Sequence, residues 1–181
     1  DHQSFDNGAF DYALQQEANG NENYIKSLDL LDQSKVTAVL SQLNIAQNGV
    51  SADDLYYGSK LPFAYNYVDK NTDVTHDNDT QSEHGSHVAG IAAANKYVPQ
   101  TDGDETTYVS ALDTVKTQGV APEAQLLVMK VFGTNGGAYD SDYMAAIEDA
   151  IVLGADSINL SLGSSYPGPS KYTAYMDADT D

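Results

Sequence analysis

Two histidines, His84 and His87, are the side chains of this sequence best placed for chemistry near neutral pH. They open a run of mostly small residues, His84–Asn95, that predicts a thin helix after a polar loop. A histidine held at the start of such a helix suits general-base catalysis, because proton transfer depends on position as much as on pKa. A lone histidine in this position more often only caps its helix, so the pair alone leaves both interpretations open.

A shared metal ion is another use of the two histidines. Three residues apart on a helix, they lie on one face and could bind a zinc ion together. Zinc proteases usually place the two histidines four residues apart with a glutamate between them, whereas Gly85 and Ser86 lie between these two. The spacing therefore disfavours zinc, and we assign no metal ligands.

Three segments together resemble the subtilisin-like serine proteases. His84–Gly90 reads HGSHVAG and is close to the family motif His-Gly-Thr-His-Val-Ala-Gly, with Ser86 replacing the threonine. Gly119–Ala124 (GVAPEA) and the apolar run after it resemble the segment that precedes a core strand of those enzymes. Ile158–Gly163 (INLSLG) resembles the strand that borders their primary specificity pocket. The resemblance covers about residues 62–165 and is strongest to the cell-envelope branch, which includes lactocepins and streptococcal C5a peptidases.

This resemblance implies a serine endopeptidase that hydrolyses polypeptides through an acyl-enzyme. His84 would be the general base, and His87 would be structural. The substrate would lie between two cleft edges as an added strand. These edges would be Thr134, Asn135, Gly136 and Gly137 on one side and Ser161, Leu162 and Gly163 on the other. The resemblance requires no cofactor, and a bacterial protein that is secreted or anchored at the cell surface is expected.

Two members of the catalytic triad have no counterpart in the 181 residues. The sequence contains neither the Asp-Thr/Ser-Gly motif of the family nor its Gly-Thr-Ser-x-Ala motif. Asp1-His2 resembles residues that the family carries shortly after its aspartate motif, so we expect the aspartate upstream and the serine downstream, in the remainder of the catalytic domain. The chain alone should then be inactive. The alternatives are a complete but inactive relative, or a non-enzymatic surface module that binds host proteins.

The elements that would position these residues alternate as in an α/β fold. Leu61–Val68 and Gln125–Val131 predict strands, and Asp140–Leu153 predicts a helix between the second strand and a further buried strand, Ser157–Leu162. Such a strand–helix–strand order implies parallel pairing with a right-handed crossover, and ligands bind at the carboxyl ends of such strands. We therefore expect a three-layer α/β fold with a mostly parallel sheet, incomplete in this chain.

The more polar regions are predicted to lie at the surface. We interpret residues 1–181 as part of one catalytic domain, with an insertion at about residues 7–60 that forms a surface excursion, not a core. Two helices are expected within it, at Tyr24–Leu31 and Lys35–Leu43, and Lys96–Lys116 is expected to be a polar loop. The acidic runs near Asp73–Asp79 and Asp177–Asp181 suit structural calcium, but solvated loops are the simpler interpretation.

Composition excludes several functions. The net charge of −19 argues against binding to nucleic acid or anionic lipid, because both need a basic surface. There is no cysteine, so disulfides and thiol chemistry are excluded. No run of 18 apolar residues is present, so no membrane span is expected in this chain.

Overall fold

The structure is a computed structural model that describes residues 2–77 and 82–163. In chain order its helices and strands are α1 (Asn7–Ala18), α2 (Glu22–Ser27), α3 (Gln33–Val39), α4 (Ala52–Leu55), β1 (Phe63–Asn66), α5 (His84–Ala93), β2 (Tyr97–Asp102), β3 (Glu105–Ser110), α6 (Ala111–Thr114), β4 (Leu127–Lys130) and α7 (Asp140–Val152). None of the helices in these ranges combines the length and hydropathy that a membrane span requires.

A parallel pair of strands lies at the centre of the fold. β1 pairs with β4 in parallel, and the register aligns Phe63 with Leu127 and Asn66 with Lys130. All four residues of β1 are buried, whereas all four of β4 are only partly buried. The predicted α/β class with a parallel sheet is thus confirmed, but the described parallel pair is β1 with β4 and not the predicted pair of Gln125–Val131 with Ser157–Leu162.

The predicted buried strand at Ser157–Leu162 is not formed. In the described part of the chain these residues belong to no strand, and Ile158 and Leu160 are 45% and 52% exposed. A strand forms only where a neighbour accepts and donates its main-chain hydrogen bonds. Within the described residues β4 is paired with β1 alone, and Ser157–Leu162 does not add to its other edge.

The segment predicted as a polar loop at Lys96–Lys116 contains a β-hairpin. β2 and β3 are antiparallel, and their register runs from the pair Tyr97–Ser110 to the pair Asp102–Glu105. Gly103, with φ of +61°, lies in the two-residue turn between them, where the left-handed region favours glycine. The loop prediction was wrong because it gave weight to the acidic residues of the turn and not to the tyrosine, valine and threonine residues of the two strands.

Residues 7–60 contribute side chains to the core, which corrects the expectation of a surface excursion. Asp6 begins helix α1 by accepting a hydrogen bond from the Ala9 amide at 2.7 Å, and the helix ends at Asn19 in the left-handed conformation. Phe10 is fully buried within it. The main apolar cluster combines side chains of this region with those of β1, of the residue after that strand and of the α7 region: Val36, Leu43, Ile45, Ala52, Leu55, Phe63, Tyr65, Tyr67, Ala146 and Leu153.

The two helices predicted inside this region are confirmed with shifted bounds. The first is α2, Glu22–Ser27, and the second is α3, Gln33–Val39, which continues into a 3-10 turn at Leu40–Gln42. Asp32 caps α3 by accepting a hydrogen bond from the Lys35 amide at 2.9 Å. Polar residues therefore form the outer faces and caps of helices whose few apolar residues point inward.

Lys60 ties α1 to the segment that precedes β4. Its side chain is fully buried and donates hydrogen bonds to the carbonyls of Pro122 (2.9 Å) and Ala124 (2.7 Å). The ammonium nitrogen also lies 4.9 Å from the centre of the Phe10 ring. Burial lowers the pKa of Lys60 to about 7, although the charge of Glu123 acts in the opposite direction.

Asp149 connects α7 with β1 and with residues 7–60. It is fully buried, and its carboxylate accepts hydrogen bonds from the Tyr67 hydroxyl at 3.0 Å and from the Asn44 amide at 2.6 Å. Burial, together with this carboxylate, raises the pKa of Tyr67, so its hydroxyl stays protonated as a donor. A buried carboxylate is tolerated because several donors surround it.

Candidate functional site

His84 is the first residue of helix α5, as the sequence predicts. The N-cap position is occupied by Glu83, and no described side chain forms a cap hydrogen bond there. His84 itself is exposed, as is the rest of the first turn. No described hydrogen bond therefore supports a capping role for His84. Its imidazole is accessible, as proton transfer requires.

In the described structure helix α5 does not pack deep in a core. Only its C-terminal end is buried: Ala93 and Ala94 are 2% and 1% exposed, whereas Ile91 is 71% exposed. The small side chains of α5 allow close packing, but among the described residues the close packing occurs at the C-terminal end of the helix.

Gly119–Ala121 holds the C-terminal end of α5. The amides of Gly119, Val120 and Ala121 donate to the carbonyls of Ala94 (2.9 Å), Ile91 (3.0 Å) and Ala92 (2.8 Å). These bonds satisfy carbonyls that a helix end otherwise leaves without partners. A Cβ atom on Gly119 would lie 2.3 Å from the Ala94 nitrogen, so only glycine permits this approach. Part of the GVAPEA segment thus anchors the helix that carries His84.

An open depression of about 470 Å³ lies beside His84. It is lined by His76, Ser82, Glu83, His84 and His87. The Glu83 carboxylate lies 3.8 Å from Nε2 of His76 and 3.9 Å from Nε2 of His87, and all three side chains are largely exposed. Either imidazole, when it carries its second proton, can therefore form an ion pair with the Glu83 carboxylate.

Metal binding receives no direct support from the described residues. Among them, no three His, Cys, Asp or Glu side chains converge as a metal site requires. Asp73 accepts hydrogen bonds from the amide and the hydroxyl of Thr75, at 3.0 and 2.6 Å, and so shapes its own turn. Asp79 and Asp177–Asp181 lie outside the described residues, so structural calcium stays a prediction.

The first predicted cleft edge, Thr134–Gly137, is a tight turn at the carboxyl end of β4. The Gly136 amide donates to the Gly133 carbonyl at 2.8 Å, and the Gly133 amide donates to the Gly137 carbonyl at 2.9 Å. Gly136 has φ of +76°, which explains a glycine at this point of the turn. Thr134 and Asn135 are exposed, so this edge is open to a ligand.

Asp69 fastens this turn to the end of β1. Its Oδ2 atom accepts hydrogen bonds from the Thr134 amide (2.8 Å), the Thr134 hydroxyl (3.0 Å) and the Asn66 side-chain amide (3.0 Å). The bond from the Thr134 amide is the main reason why the pKa of Asp69 is lowered. The sequence analysis missed Asn66 and Asp69, although polar residues at the end of a strand were a usable signal.

The second predicted cleft edge, Ser161–Gly163, is exposed and belongs to no strand. The Ser161 hydroxyl forms a local hydrogen bond, to the Asn159 side chain at 2.7 Å. In the described residues no hydrogen bond links this segment to Thr134–Gly137. The structure thus fixes the first predicted edge through hydrogen bonds to Asp69, just after β1, whereas in the described residues the second edge is paired with no strand.

Comparison with known proteins agrees with this architecture. The sequence profile of the subtilase family, peptidase family S8, matches residues 30–181. The chain therefore belongs to the subtilase family, and the resemblance drawn from His84–Gly90 and the two later segments is confirmed. No solved structure matches the chain significantly.

Several bacterial proteinases are similar to a part of this chain. The PI-type proteinase of Lactococcus lactis subsp. cremoris is 43% identical over 112 residues, which are 60% of this chain and 5% of that proteinase. The minor extracellular protease Vpr of Bacillus subtilis (strain 168) is 37% identical over 110 residues, or 58% of this chain and 11% of the relative. The C5a peptidase of Streptococcus pyogenes is 42% identical over 83 residues, or 45% of this chain and 6% of the peptidase. The chain thus spans only a small part of the length of these relatives.

Proposed function

We propose that this chain is the part of a serine endopeptidase that carries the general base, His84. The imidazole takes the proton of a serine hydroxyl as an acyl-enzyme forms and returns it to the leaving amine. The aspartate that orients His84 and the nucleophilic serine come from sequence outside residues 1–181, because neither family motif occurs within them. The chain alone is expected to be inactive.

The observation that carries this proposal is an accessible histidine on a helix that is fixed at its other end. His84 lies in the exposed first turn of α5, and Gly119–Ala121 holds the last turn through three main-chain hydrogen bonds. A general base needs this combination, since the imidazole must be reachable and must keep its position. Membership of the subtilase family gives the histidine its expected chemistry.

The substrate we propose is an extended polypeptide. Thr134, Asn135, Gly136 and Gly137 form one edge of its cleft, and Ser161, Leu162 and Gly163 form the other. The first edge lies at the carboxyl end of a parallel strand, where α/β folds bind their ligands. The second edge is exposed main chain that can accept a further strand.

The partner we propose for the exposed apolar side chains is the remainder of the catalytic domain. Ile91 on α5 is 71% exposed and Ile151 on α7 is 67% exposed. Large apolar side chains that are this exposed are candidates for burial by another part of the protein. We also place the protein outside the cell or at the bacterial cell surface, which is supported by its similarity to an extracellular protease.

A substitution of His84 tests the proposal in the full-length protein, including any sequence beyond residues 1–181. His84→Ala is expected to lower kcat for peptide hydrolysis at least about 10⁴-fold, because the serine loses its base. His76→Ala, which alters a second histidine of the same depression, is expected to cost less than about tenfold. Near-normal activity of the His84→Ala variant would mean that this residue is not the base.

A fluorophosphonate probe tests the division of the triad. The probe labels activated serines and is expected to react with the full-length protein but not with the 181-residue chain. Labelling of the 181-residue chain would show that it contains its own nucleophile. If the full-length protein is not labelled either, the non-enzymatic alternative gains the advantage.

A further inference from the structure

The end of β1 contains a polar junction that serves two loops at once. Asn66 is 2% exposed, and its side-chain amide donates both to Asp69 Oδ2 and to the Asp73 carbonyl, each at 3.0 Å. Its side-chain oxygen accepts from the amides of Val68 (3.2 Å) and Asp69 (3.0 Å). Every polar atom of this buried side chain is therefore used to set the path of the chain after β1.

From this junction Asp69 reaches across to the loop after β4. Its Oδ2 atom accepts hydrogen bonds from the amide and the hydroxyl of Thr134. Hydrogen bonds to a carboxylate are stronger than those between two neutral groups. The contact is also tight, since a Cβ atom on Gly133 would lie 2.6 Å from Cγ1 of Val68. The loop consequently has little freedom to move relative to β1.

These hydrogen bonds decide which main-chain amides of the loop stay available to a ligand. The amide of Thr134 is taken by Asp69, and those of Gly133 and Gly136 are taken within the turn. In the described part of the chain, the amides of Asn135 and Gly137 have no hydrogen-bond partner. They are the donors that this edge can offer to the main chain of a peptide.

We infer that Asp69 is a positioning residue for substrate binding: by holding Thr134, it keeps the edge Thr134–Gly137 in place to accept an extended peptide. This inference rests on the proposed function and adds to it a residue that touches no substrate. Asp69 is exposed and outside the apolar core, so its bonds serve the loop more than the stability of the fold.

Kinetics on two substrates test this role in the full-length protein. For a long peptide that spans the cleft, Asp69→Asn is expected to raise KM about tenfold, with kcat within about threefold, since an amide is a weaker acceptor than a carboxylate. For a minimal single-residue ester, which does not reach the loop, kcat/KM should stay within about twofold. Asp104→Asn in the β2–β3 turn removes the same charge elsewhere and should leave both substrates unaffected.

Amide hydrogen exchange gives a readout that does not depend on activity. In Asp69→Asn the Thr134 amide should exchange at least about tenfold faster, with no change at Gly119–Ala121, which anchor α5. An unchanged KM for the long peptide in an active enzyme, an equal loss on both substrates, or unchanged exchange at Thr134 would each overturn the inference. A wild-type protein without peptidase activity would instead overturn the proposed function, and the exchange rates would still decide whether Asp69 holds the loop.

Discussion

Residues 7–60 and residues 157–163 depart in opposite directions from what their composition indicates. The first region is polar and reads as a surface insertion, yet Phe10, Val36 and Leu55 are fully buried. The second reads as a core strand, yet Ile158 is 45% and Leu160 is 52% exposed. The comparison teaches that burial depends on which elements lie nearby: the first region shares a core with β1, and the second has no strand beside it in the described residues.

The strongest way to break this comparison is to remove an aromatic ring from the polar region. Phe10→Ala is expected to lower the free energy of unfolding by about 3–5 kcal/mol, because it leaves a cavity in a closed core. Leu160→Ala should change it by less than about 0.5 kcal/mol in the 181-residue chain, because its side chain is already half exposed. Urea denaturation of both variants measures the difference. Similar losses in the two variants would remove the contrast between the regions.

The pH dependence of stability tests the buried lysine that ties residues 7–60 to the rest of the fold. The folded-state pKa of Lys60, about 7, lies below its ordinary value of 10.5. Between these two values the unfolded chain binds more protons than the folded chain, so the free energy of unfolding should rise with pH from about 7 to about 10. Below pH 7 both states are protonated, and Lys60 contributes no slope.

Lys60→Met should remove that rise, since methionine does not titrate. Lys116→Met is the matched control, because Lys116 is exposed and donates to a single carbonyl, that of Asp113, at 2.7 Å. Denaturant titrations at pH 6, 8 and about 9.5 measure the slopes. If Lys60→Met keeps the wild-type slope, Lys60 does not titrate in this window.

A smaller effect is expected from the hydroxyl that joins β1 to α7. Tyr67→Phe removes a donor from buried Asp149 and is expected to cost about 1–3 kcal/mol. Tyr57→Phe removes the hydrogen bond from an exposed hydroxyl to the Thr72 carbonyl and should cost less than about 0.5 kcal/mol. Thermal unfolding of the two variants compares them. Equal shifts in Tm would show that the buried bond contributes no more than the exposed one.

Local patterns were sufficient for several elements. The small residues of His84–Ala93 predicted α5, and two apolar runs predicted the strands β1 and β4, but not that these two strands pair with each other. The hairpin β2–β3 was missed although its central Gly103 and its alternating residues were visible in the sequence. The bond between Asp69 and Thr134 could not be predicted, because the two residues are 65 positions apart and meet only through the pairing of β1 with β4.

The sequence alone determined the family, because the histidine motif and the two later segments are specified by residue type and order. It also determined the α/β class, because apolar periodicity is a local property. Only the tertiary structure decided that residues 7–60 contribute side chains to the core, that Lys60 and Asp149 tie distant elements together, and that Asp69 holds the turn at Thr134. Those facts depend on contacts between residues far apart in the chain, and folding brings such residues together in ways that no local pattern encodes.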